Sequence, residues 1–266
     1  MKLTLLHINI ERSKHISAVT ELIQNKRPDI ICFEEAMLTD MELLSGTFGY
    51  NLAYAPLLTI KRDDSIDQQG SAILSRYPFV AIQKHRYDDH ESEELPIHTE
   101  ESLHGINGLR PAHRFAFHYT LLSTTIAYNE TNSITVATTH FPVIDHYPEK
   151  GADHEFKEIT QLHDIERGQY YRDKLVSLIR ILPTPTIFTS DLNNTRGEYT
   201  YDLLAHELID TIPMTVTTSI DPTFHRNPNL HLMVDAIMVS PDLSTPLIEV
   251  IHGISDHKGF IATFDL

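Results

Sequence analysis

The chain has 266 residues, of which 41% are hydrophobic, enough to bury a sizeable core. Its 37 Asp and Glu outnumber 21 Lys and Arg, and the formal charge of −16 argues against tight, sequence-blind coating of nucleic acid. That charge does not exclude a metal-dependent nuclease, whereas the single cysteine, Cys32, excludes a disulfide framework within the chain.

Hydrophobic periodicity predicts strands and helices that alternate along the chain. The predicted strands cover residues 3–10, 29–33, 50–56, 72–75, 114–127, 133–139, 186–189, 215–219, 231–239, 247–251 and 260–264. The predicted helices cover residues 17–24, 40–44, 161–182 and 198–205, and polar loops are predicted at 61–69, 83–114 and 144–158. Because no repeat, linker or break in composition interrupts this alternation, we expect one domain over residues 1–266.

No apolar run approaches the roughly 18 residues that a membrane helix needs. The first residues also lack the apolar core and cleavage pattern of a signal peptide. We therefore expect a soluble, cytoplasmic protein without stable membrane insertion, and we take it to be a monomer.

Polar side chains terminate one predicted strand after another. They are Asn9, Glu35, His140, Asp191 with Asn193, and Asp256 with His257. Neighbouring strand ends on one rim of a sheet converge, so these residues can meet although they are far apart in sequence. Asp235 lies inside an apolar strand, where a carboxylate is costly unless it is paired or metal-bound. Hard oxygen ligands without a cysteine cluster suit Mg²⁺ or Mn²⁺, and imidazoles beside them suit phosphoryl chemistry.

Single motifs in this set have simpler interpretations. The pair Asp256-His257 alone is more often a solvated turn, and Glu34-Glu35 alone could be the acidic start of a helix. Side chains alternate along a strand, so only one of Glu34 and Glu35 can face the strand-end site. By the same rule, Asp191 and Asn193 should face the same way if that segment is extended.

The order of the motifs resembles the endonuclease/exonuclease/phosphatase superfamily, which includes pancreatic-type deoxyribonucleases, apurinic/apyrimidinic endonucleases, neutral sphingomyelinases and inositol polyphosphate 5-phosphatases. The matching segments are His7-Ile8-Asn9-Ile10, Ile31-Cys32-Phe33-Glu34-Glu35, Gly70 to Pro78, Thr139-His140, Ser190-Asp191-Leu192-Asn193, Val234-Asp235-Ala236-Ile237 and Ser255-Asp256-His257. The resemblance spans nearly the whole chain. It implies a deoxyribonuclease I-like α/β fold, a four-layer sandwich of two packed mixed β-sheets flanked by helices.

The resemblance also implies a divalent cation, Mg²⁺ with Mn²⁺ as a substitute, near the first strands and the last turn. Glu35 would be the main ligand, aided by Asn9 and Asp256. Glu11 stands where some nucleases of the family place an Asp near the metal.

The groups that act on the phosphate follow from the same comparison of motifs. Asp235 would orient His257, which serves as the base or as a phosphate-binding imidazole. Asp191 would position or deprotonate the attacking water. Asn193 would hold a phosphate oxygen, and His140 would donate a hydrogen bond to the phosphate.

Three positions depart from the family's pattern. Glu34 replaces the usual Gln, Ser190 replaces a Gly, and Ala236 replaces an aromatic residue. None of these changes removes a proposed catalytic group. An active enzyme is therefore favoured over a non-catalytic binding module on the same scaffold.

We expect a Mg²⁺-dependent phosphoesterase, in which water attacks a phosphate ester. A nuclease is the first candidate. The alternative is a phosphatase or phosphodiesterase acting on a small-molecule or lipid phosphate, of the inositol phosphate or sphingomyelin type. Arg76, Arg110 and Arg114 are candidates to contact the substrate phosphate. The partner is a phosphate ester, with nucleic acid among the candidates.

Overall fold

The computed structural model describes residues 1–62, 65–88, 94–99, 117–144 and 162–266, the side chains of 162–165 excepted. Its strands are β1 (Lys2–Asn9), β2 (Ile30–Met37), β3 (Asn51–Arg62), β4 (Ser65–Ser75), β5 (Phe79–Arg86), β6 (Ile97–Thr99), β7 (Thr120–Ala127), β8 (Ser133–His140), β9 (Thr186–Asp191), β10 (Ile209–Asp210), β11 (Asp235–Val239), β12 (Leu247–Ile251) and β13 (Gly259–Asp265). Its helices are α1 (Ile16–Lys26), α2 (Leu38–Phe48), α3 (Leu162–Ile181) and α4 (Tyr199–Glu207), and a 3₁₀ turn spans Arg12–His15.

The strands of the described residues form two mixed sheets. The first has seven strands in the order β12-β13-β1-β2-β4-β3-β6, and the second has six in the order β10-β11-β9-β8-β7-β5. Strand β1 runs parallel to β2, and β8 runs parallel to β9. Strands β13 and β11 run antiparallel to β1 and β9, so they begin at the end of the sheets where β1 and β9 finish.

Alternation along the strands divides the apolar residues into layers. Leu3 and Leu5 of β1 belong to the core between the two sheets, which also holds Ile187 of β9. Leu6 of β1 belongs to the core shared with α1 and α2, and Phe188 of β9 to the core shared with α3 and α4. Helices therefore cover the outer faces of two packed sheets, and the predicted four-layer sandwich is confirmed.

Several stretches differ from the prediction: the strand predicted at 231–239 begins only at Asp235, and β5 and β10 were not predicted. Residues 61–69 were expected to form a polar loop, but β3 and β4 pair as far as Arg62↔Ser65, and residues 63–64 lie outside the described chain. Their inter-strand hydrogen bonds are independent of side-chain polarity, which explains why a charged segment still forms a ladder. Residues 215–219 were expected to be a strand and are not one. Ile220 instead forms a single bridge with His257.

The predicted polar loops 83–114 and 144–158 fall mostly outside the described residues. Within the first loop, β5 reaches Arg86 and a short β6 spans Ile97–Thr99. No helix of the described chain is long and apolar enough to cross a membrane. The first and last strands of the chain, β1 and β13, pair with each other. A single domain over residues 1–266 stays a prediction.

Candidate active site

At one end of the sandwich, the side chains between the two sheets change from apolar to polar. Along β1, the inward positions Leu3 and Leu5 are followed by His7 and Asn9. The same change occurs on the neighbouring strands, with Ile30, Cys32 and Glu34 on β2, Ile134, Val136 and Thr138 on β8, and Ile187, Thr189 and Asp191 on β9. The predicted strand-end residues therefore meet in one place, as the convergence of strand ends requires.

His257 and Asp235 form the shortest contact of this region that joins two predicted catalytic groups. The Nδ1 atom of His257 lies 2.7 Å from Oδ2 of Asp235, and the carboxylate is fully buried. Burial alone would raise the pKa of Asp235, but the charges and hydrogen bonds of His257 and His7 outweigh burial and hold this pKa well below its usual value. Burial would lower the pKa of His257, yet the charges of Asp235 and Asp191 raise it well above its usual value.

Asp191 lies next to this pair and is held by two donors. Its Oδ2 accepts a hydrogen bond from Nδ2 of Asn9 at 2.9 Å and lies 3.8 Å from Nε2 of His257. Its Oδ1 accepts from the backbone N–H of Asn193 at 3.0 Å. Strand β9 ends at Asp191, and Asn193 has a φ of 52°. A left-handed turn, and not the extended segment that was predicted, joins Asp191 to Asn193.

His140 and Asn193 lie side by side at the ends of adjacent segments. His140 stands opposite Asp191 in the β8–β9 register. The side-chain Nδ2 of Asn193 lies 3.0 Å from Nε2 of His140 and donates to the carbonyl of Phe141 at 2.9 Å. The other ring nitrogen of His140 lies 4.0 Å from Oε1 of Glu35. The imidazole and the amide are thus fixed next to the predicted main metal ligand.

A bulge in β2 directs Glu35 to the polar edge of the site. We call this edge, formed by Asn9, Glu11, Arg12, Glu35 and Asp256, the rim. The pairing of β2 with β4 shifts register between Phe33 and Ala36, and Glu35 has a φ of 51°. A non-glycine residue in this region costs about 1–3 kcal/mol, and such strain is concentrated at functional sites. The Oε1 of Glu35 lies 3.4 Å from Nδ2 of Asn9, and its Oε2 lies 3.9 Å from the guanidinium of Arg12.

Asp256 lies within electrostatic reach of Glu35 and Glu11. Burial raises the pKa of Asp256, and the negative charges of Glu35 and Glu11 raise it further, against the opposing charge of His257. A divalent cation would offset this repulsion, and its preferred ligands are carboxylate and amide oxygens such as those of Glu35, Asp256 and Asn9. The donor set fits such a cation.

Glu11 is engaged differently from Glu35 and Asp256. Its two oxygens lie 3.0 and 2.8 Å from the amine of Lys14, and Oε2 lies 3.2 Å from Nε2 of His15. These cationic partners outweigh burial and lower the pKa of Glu11. Glu11 therefore belongs to the rim, but its oxygens already have donors on the 3₁₀ turn.

Among the described residues, Asp191, Asp235 and His257 bring three possible ligand atoms within 4.8 Å of one another. Both oxygens of Asp235 already face imidazole nitrogens, of His257 at 2.7 Å and of His7 at 3.1 Å. A cation bound there would displace these hydrogen bonds.

Residues 6–257 match the model of the Endonuclease/Exonuclease/phosphatase family. The chain belongs to this family. With that membership, the chain is a phosphoester-hydrolysing enzyme, as the motifs predicted. The family generally uses a divalent metal, and the cluster of Asp191, Asp235 and His257 could hold such an ion. No curated protein matches the sequence.

Solved structures of this family share the fold. The endonuclease/exonuclease/phosphatase from Bacteroides vulgatus has a TM-score of 0.66 at 13% identity, covering 100% of this chain and 99% of that one. The protein from Beutenbergia cavernae has a TM-score of 0.65 at 14% identity, covering 100% and 72%. Truncated TDP2 from Caenorhabditis elegans has a TM-score of 0.61 at 14% identity, covering 100% and 98%. At these identities the likeness establishes the fold.

Arg76, the predicted substrate arginine that lies within the described residues, is not at this site. Arg76 follows the end of β4 and lies 3.7 Å from Asp29, at the start of β2. Six residues of strand at about 3.3 Å each separate Asp29 from Glu35, which puts Arg76 at the opposite end of the sheet. Arg110 and Arg114 lie outside the described residues. Arg12, which the sequence reasoning missed, is at the rim. The sequence feature that could have indicated Arg12 is its position three residues after Asn9.

Glu34, the departure from the family's usual Gln, points away from the rim into the space between the sheets. Its Oε2 lies 3.3 Å from Nδ1 of His7, and its Oε1 accepts a hydrogen bond from the hydroxyl of Thr138. Burial raises the pKa of Glu34 to about 7, opposed by the charge of His7 and the hydrogen bond from Thr138. Only Glu35 reaches the rim, as predicted, but the bulge and not regular alternation places it there, and Glu34 is buried between the sheets.

Segment 218–221 holds the Asp235–His257 pair in place, and sequence reasoning missed it. The hydroxyl of Ser219 accepts hydrogen bonds from the backbone N–H groups of Val234 and Asp235 at 3.0 and 3.1 Å. The backbone N–H of Asp221 donates to the carbonyl of Asp256 at 2.8 Å. This segment therefore fixes the start of β11 and the turn before β13 together.

Asn194 fixes the loop that follows β8, and it was also missed. It is fully buried, and its amide donates to the carbonyls of Pro142 and Leu192 at 3.1 and 2.6 Å. Its side-chain oxygen accepts from the N–H of Ile144 at 3.1 Å. Since His140 starts this loop and Asn193 precedes Asn194, the clamp sets their separation. The only signal was a second Asn after the motif.

Proposed function

We propose that the chain is a Mg²⁺-dependent phosphodiesterase that cleaves its substrate by in-line attack of water, with nucleic acid as the first substrate class. The observation that carries the proposal is the contact network of Asn9, Glu35, Asp191, Asp235 and His257, which come from separate strands. Carboxylates, amides and imidazoles are gathered here in the combination that phosphoryl transfer to water requires.

The cation would be held by Glu35, with Asp256 and the side-chain oxygen of Asn9. When bound, it would polarise a phosphoryl oxygen and offset the charge that develops there. Mn²⁺ is the expected substitute, because it accepts the same hard oxygen ligands. Asn9 Oδ1 accepts one hydrogen bond, from the N–H of Glu11 at 3.0 Å, and an amide oxygen retains a second lone pair for a cation.

His257 and Asp191 are the groups we assign to the reacting atoms. Asp235 occupies Nδ1 of His257, which leaves Nε2 facing Asp191 at 3.8 Å. The two carboxylates around His257 favour its protonated form, so we assign Nε2 to donate to a phosphoryl oxygen. Asp191 then positions the attacking water and accepts its proton, while Asn9 and the backbone of Asn193 hold the carboxylate.

The remaining polar groups of the rim bind the phosphate. His140 and Asn193 lie 3.0 Å apart and present an imidazole and an amide on the same side of Glu35. Arg12 contributes a positive charge 3.9 Å from Glu35. We assign all three to contacts with the non-reacting oxygens of the phosphate, where hydrogen bonds to a charged acceptor are strong.

A small-molecule or lipid phosphate ester is the second candidate substrate. The observation that favours it is the formal charge of −16, which repels a polyanion at long range. The two candidates share the site and the chemistry, and they differ only in what extends beyond the scissile phosphate.

A substrate panel with and without EDTA tests the proposal. It contains plasmid DNA, abasic duplex, RNA, sphingomyelin, inositol phosphates and bis(4-nitrophenyl) phosphate, each with Mg²⁺ or Mn²⁺. We expect hydrolysis of the chromogenic diester and of one nucleic acid, which EDTA abolishes and Mg²⁺ restores. His257→Ala purified in parallel controls for contaminating nucleases. Hydrolysis that persists in EDTA would refute the metal dependence, and hydrolysis of sphingomyelin or inositol phosphates alone would select the second candidate.

A further inference from the structure

The carboxylate of Asp235 is the middle of a longer buried chain of polar groups. Its Oδ2 faces Nδ1 of His257 at 2.7 Å, and its Oδ1 faces Nε2 of His7 at 3.1 Å. The other ring nitrogen of His7 lies 3.3 Å from Oε2 of Glu34. Both His7 and Glu34 are inaccessible to solvent, so they touch no substrate and take no part in the chemistry assigned above.

The geometry of this chain restrains a catalytic carboxylate. The terminal torsion of an Asp side chain has a broad energy minimum, so a carboxylate held at one oxygen can rotate. Here an imidazole occupies each oxygen, which leaves one orientation of the carboxylate plane. Glu34 lies at ion-pair distance from the ring of His7, 3.3 Å from its Nδ1, and the hydroxyl of Thr138 donates a hydrogen bond to Glu34. The restraint thus extends from β8 of one sheet, across β2 and β1 of the other, to Asp235.

We propose that His7 and Glu34 are positioning residues for phosphoester hydrolysis. They hold the plane of the Asp235 carboxylate so that Nε2 of His257 stays directed at the reacting phosphate. The proposal rests on the function proposed for His257. The competing explanation is that the chain only holds the two sheets together at their polar end.

Kinetics with bis(4-nitrophenyl) phosphate and Mg²⁺ separate these explanations. Removal of such an orienting partner typically costs about 10- to 100-fold in activity, and we expect this loss in kcat for His7→Leu. KM should change by less than about twofold, because substrate contacts remain. His7→Gln should recover most of the loss, since its amide reaches the position of Nε2 and donates to Asp235. Glu34→Gln should likewise lose less activity than Glu34→Leu.

Leu5→Ala is the matched control for stability. Leu5 is fully buried two residues earlier on the same inward face of β1, and it belongs to the apolar core between the sheets. We expect Leu5→Ala to lower Tm while kcat stays near that of the wild type. The proposal would be overturned if His7→Leu and His7→Gln lost kcat equally. It would also be overturned if Leu5→Ala lost as much kcat as His7→Leu at a similar Tm.

A spectroscopic measurement keeps this test independent of the proposed function. The proton on Nδ1 of His257 should give a low-field NMR signal, identified by its absence in His257→Gln. We expect the signal to persist in His7→Gln and to broaden or move upfield in His7→Leu, well below the unfolding temperature. An unchanged signal in His7→Leu overturns the positioning role. If the wild-type enzyme hydrolysed no substrate of the panel, the proposed function would be overturned. The spectrum would still show whether His7 positions Asp235 and His257.

Discussion

The two ends of β2 both carry acidic side chains, and their surroundings differ. At the start of β2, Asp29 accepts hydrogen bonds from the backbone N–H and the hydroxyl of Thr4, each at 2.8 Å, and Arg76 lies 3.7 Å away. At the far end, Glu35 faces the amide of Asn9 at 3.4 Å, and its charge raises the pKa of Asp256. Asp29 thus has two short donors, whereas the amide donor to Glu35 lies at 3.4 Å.

This difference separates a structural acid from a candidate ligand. A carboxylate that accepts two short hydrogen bonds from its own chain is satisfied by the fold. Carboxylates that repel one another need a positive partner, and the guanidinium of Arg12 and Nδ1 of His140 lie 3.9 and 4.0 Å from Glu35, both beyond hydrogen-bond distance. The comparison yields pairs of variants, in which a charged side chain of the site and one at the opposite end of the sheet are neutralised.

Asp235→Asn should have the largest effect. In hydrolases that use an imidazole held by a buried Asp, this change lowers kcat by about 10⁴-fold while the geometry stays intact. We expect a loss of about 10³- to 10⁴-fold here, because both oxygens of Asp235 face imidazole nitrogens. Asp29→Asn is the matched control and should retain kcat. Turnover by Asp235→Asn close to that of the wild type would remove Asp235 and His257 from the mechanism.

Glu35→Gln should weaken the cation site. We expect the Mg²⁺ concentration for half-maximal activity to rise about 10- to 100-fold, a size typical of damaged metal sites. Mg²⁺ at about 100 times its Kd should stabilise the wild type by about 2.7 kcal/mol, seen as a higher Tm. Glu35→Gln should lose this gain in Tm, and Asp29→Asn should keep it. Full activity of Glu35→Gln at low Mg²⁺ is the result that contradicts the ligand role.

Most of the strands and the membership of the site could be predicted from the sequence. The strand-end positions of His140 and Asp191 follow from apolar runs that stop at a polar residue, and strand ends meet because sheets are regular. The family's motifs then linked Asp235 to His257, and the structure has these side chains in contact at 2.7 Å. These features depend on periodicity and order, which a sequence carries directly.

The local turns could not be predicted. Glu35 and Asn193 have φ values of 51° and 52°; Asn adopts the left-handed region more often than most residues, but Glu does not, and neither position could be singled out. The bulge at Glu35 decides which of two adjacent acids faces the rim, and it depends on pairing with β4. The role of His7 was hidden for a related reason. A histidine at an inward position shows its partners only once the second sheet is packed against it.

Arg12→Ala and Arg76→Ala should show the smallest of the three effects, a difference that is confined mainly to KM. Arg12 lies at the rim, so its loss should raise KM for a phosphodiester about 10-fold, equivalent to about 1.4 kcal/mol, with a smaller change in kcat. Arg76 lies at the opposite end beside Asp29 and over the ring of Tyr50. Its loss should leave KM unchanged and lower stability by less than about 1 kcal/mol, as expected for a partly exposed ion pair. If KM changed equally in the two variants, a location at the rim would not distinguish an arginine that binds the phosphate from one that does not.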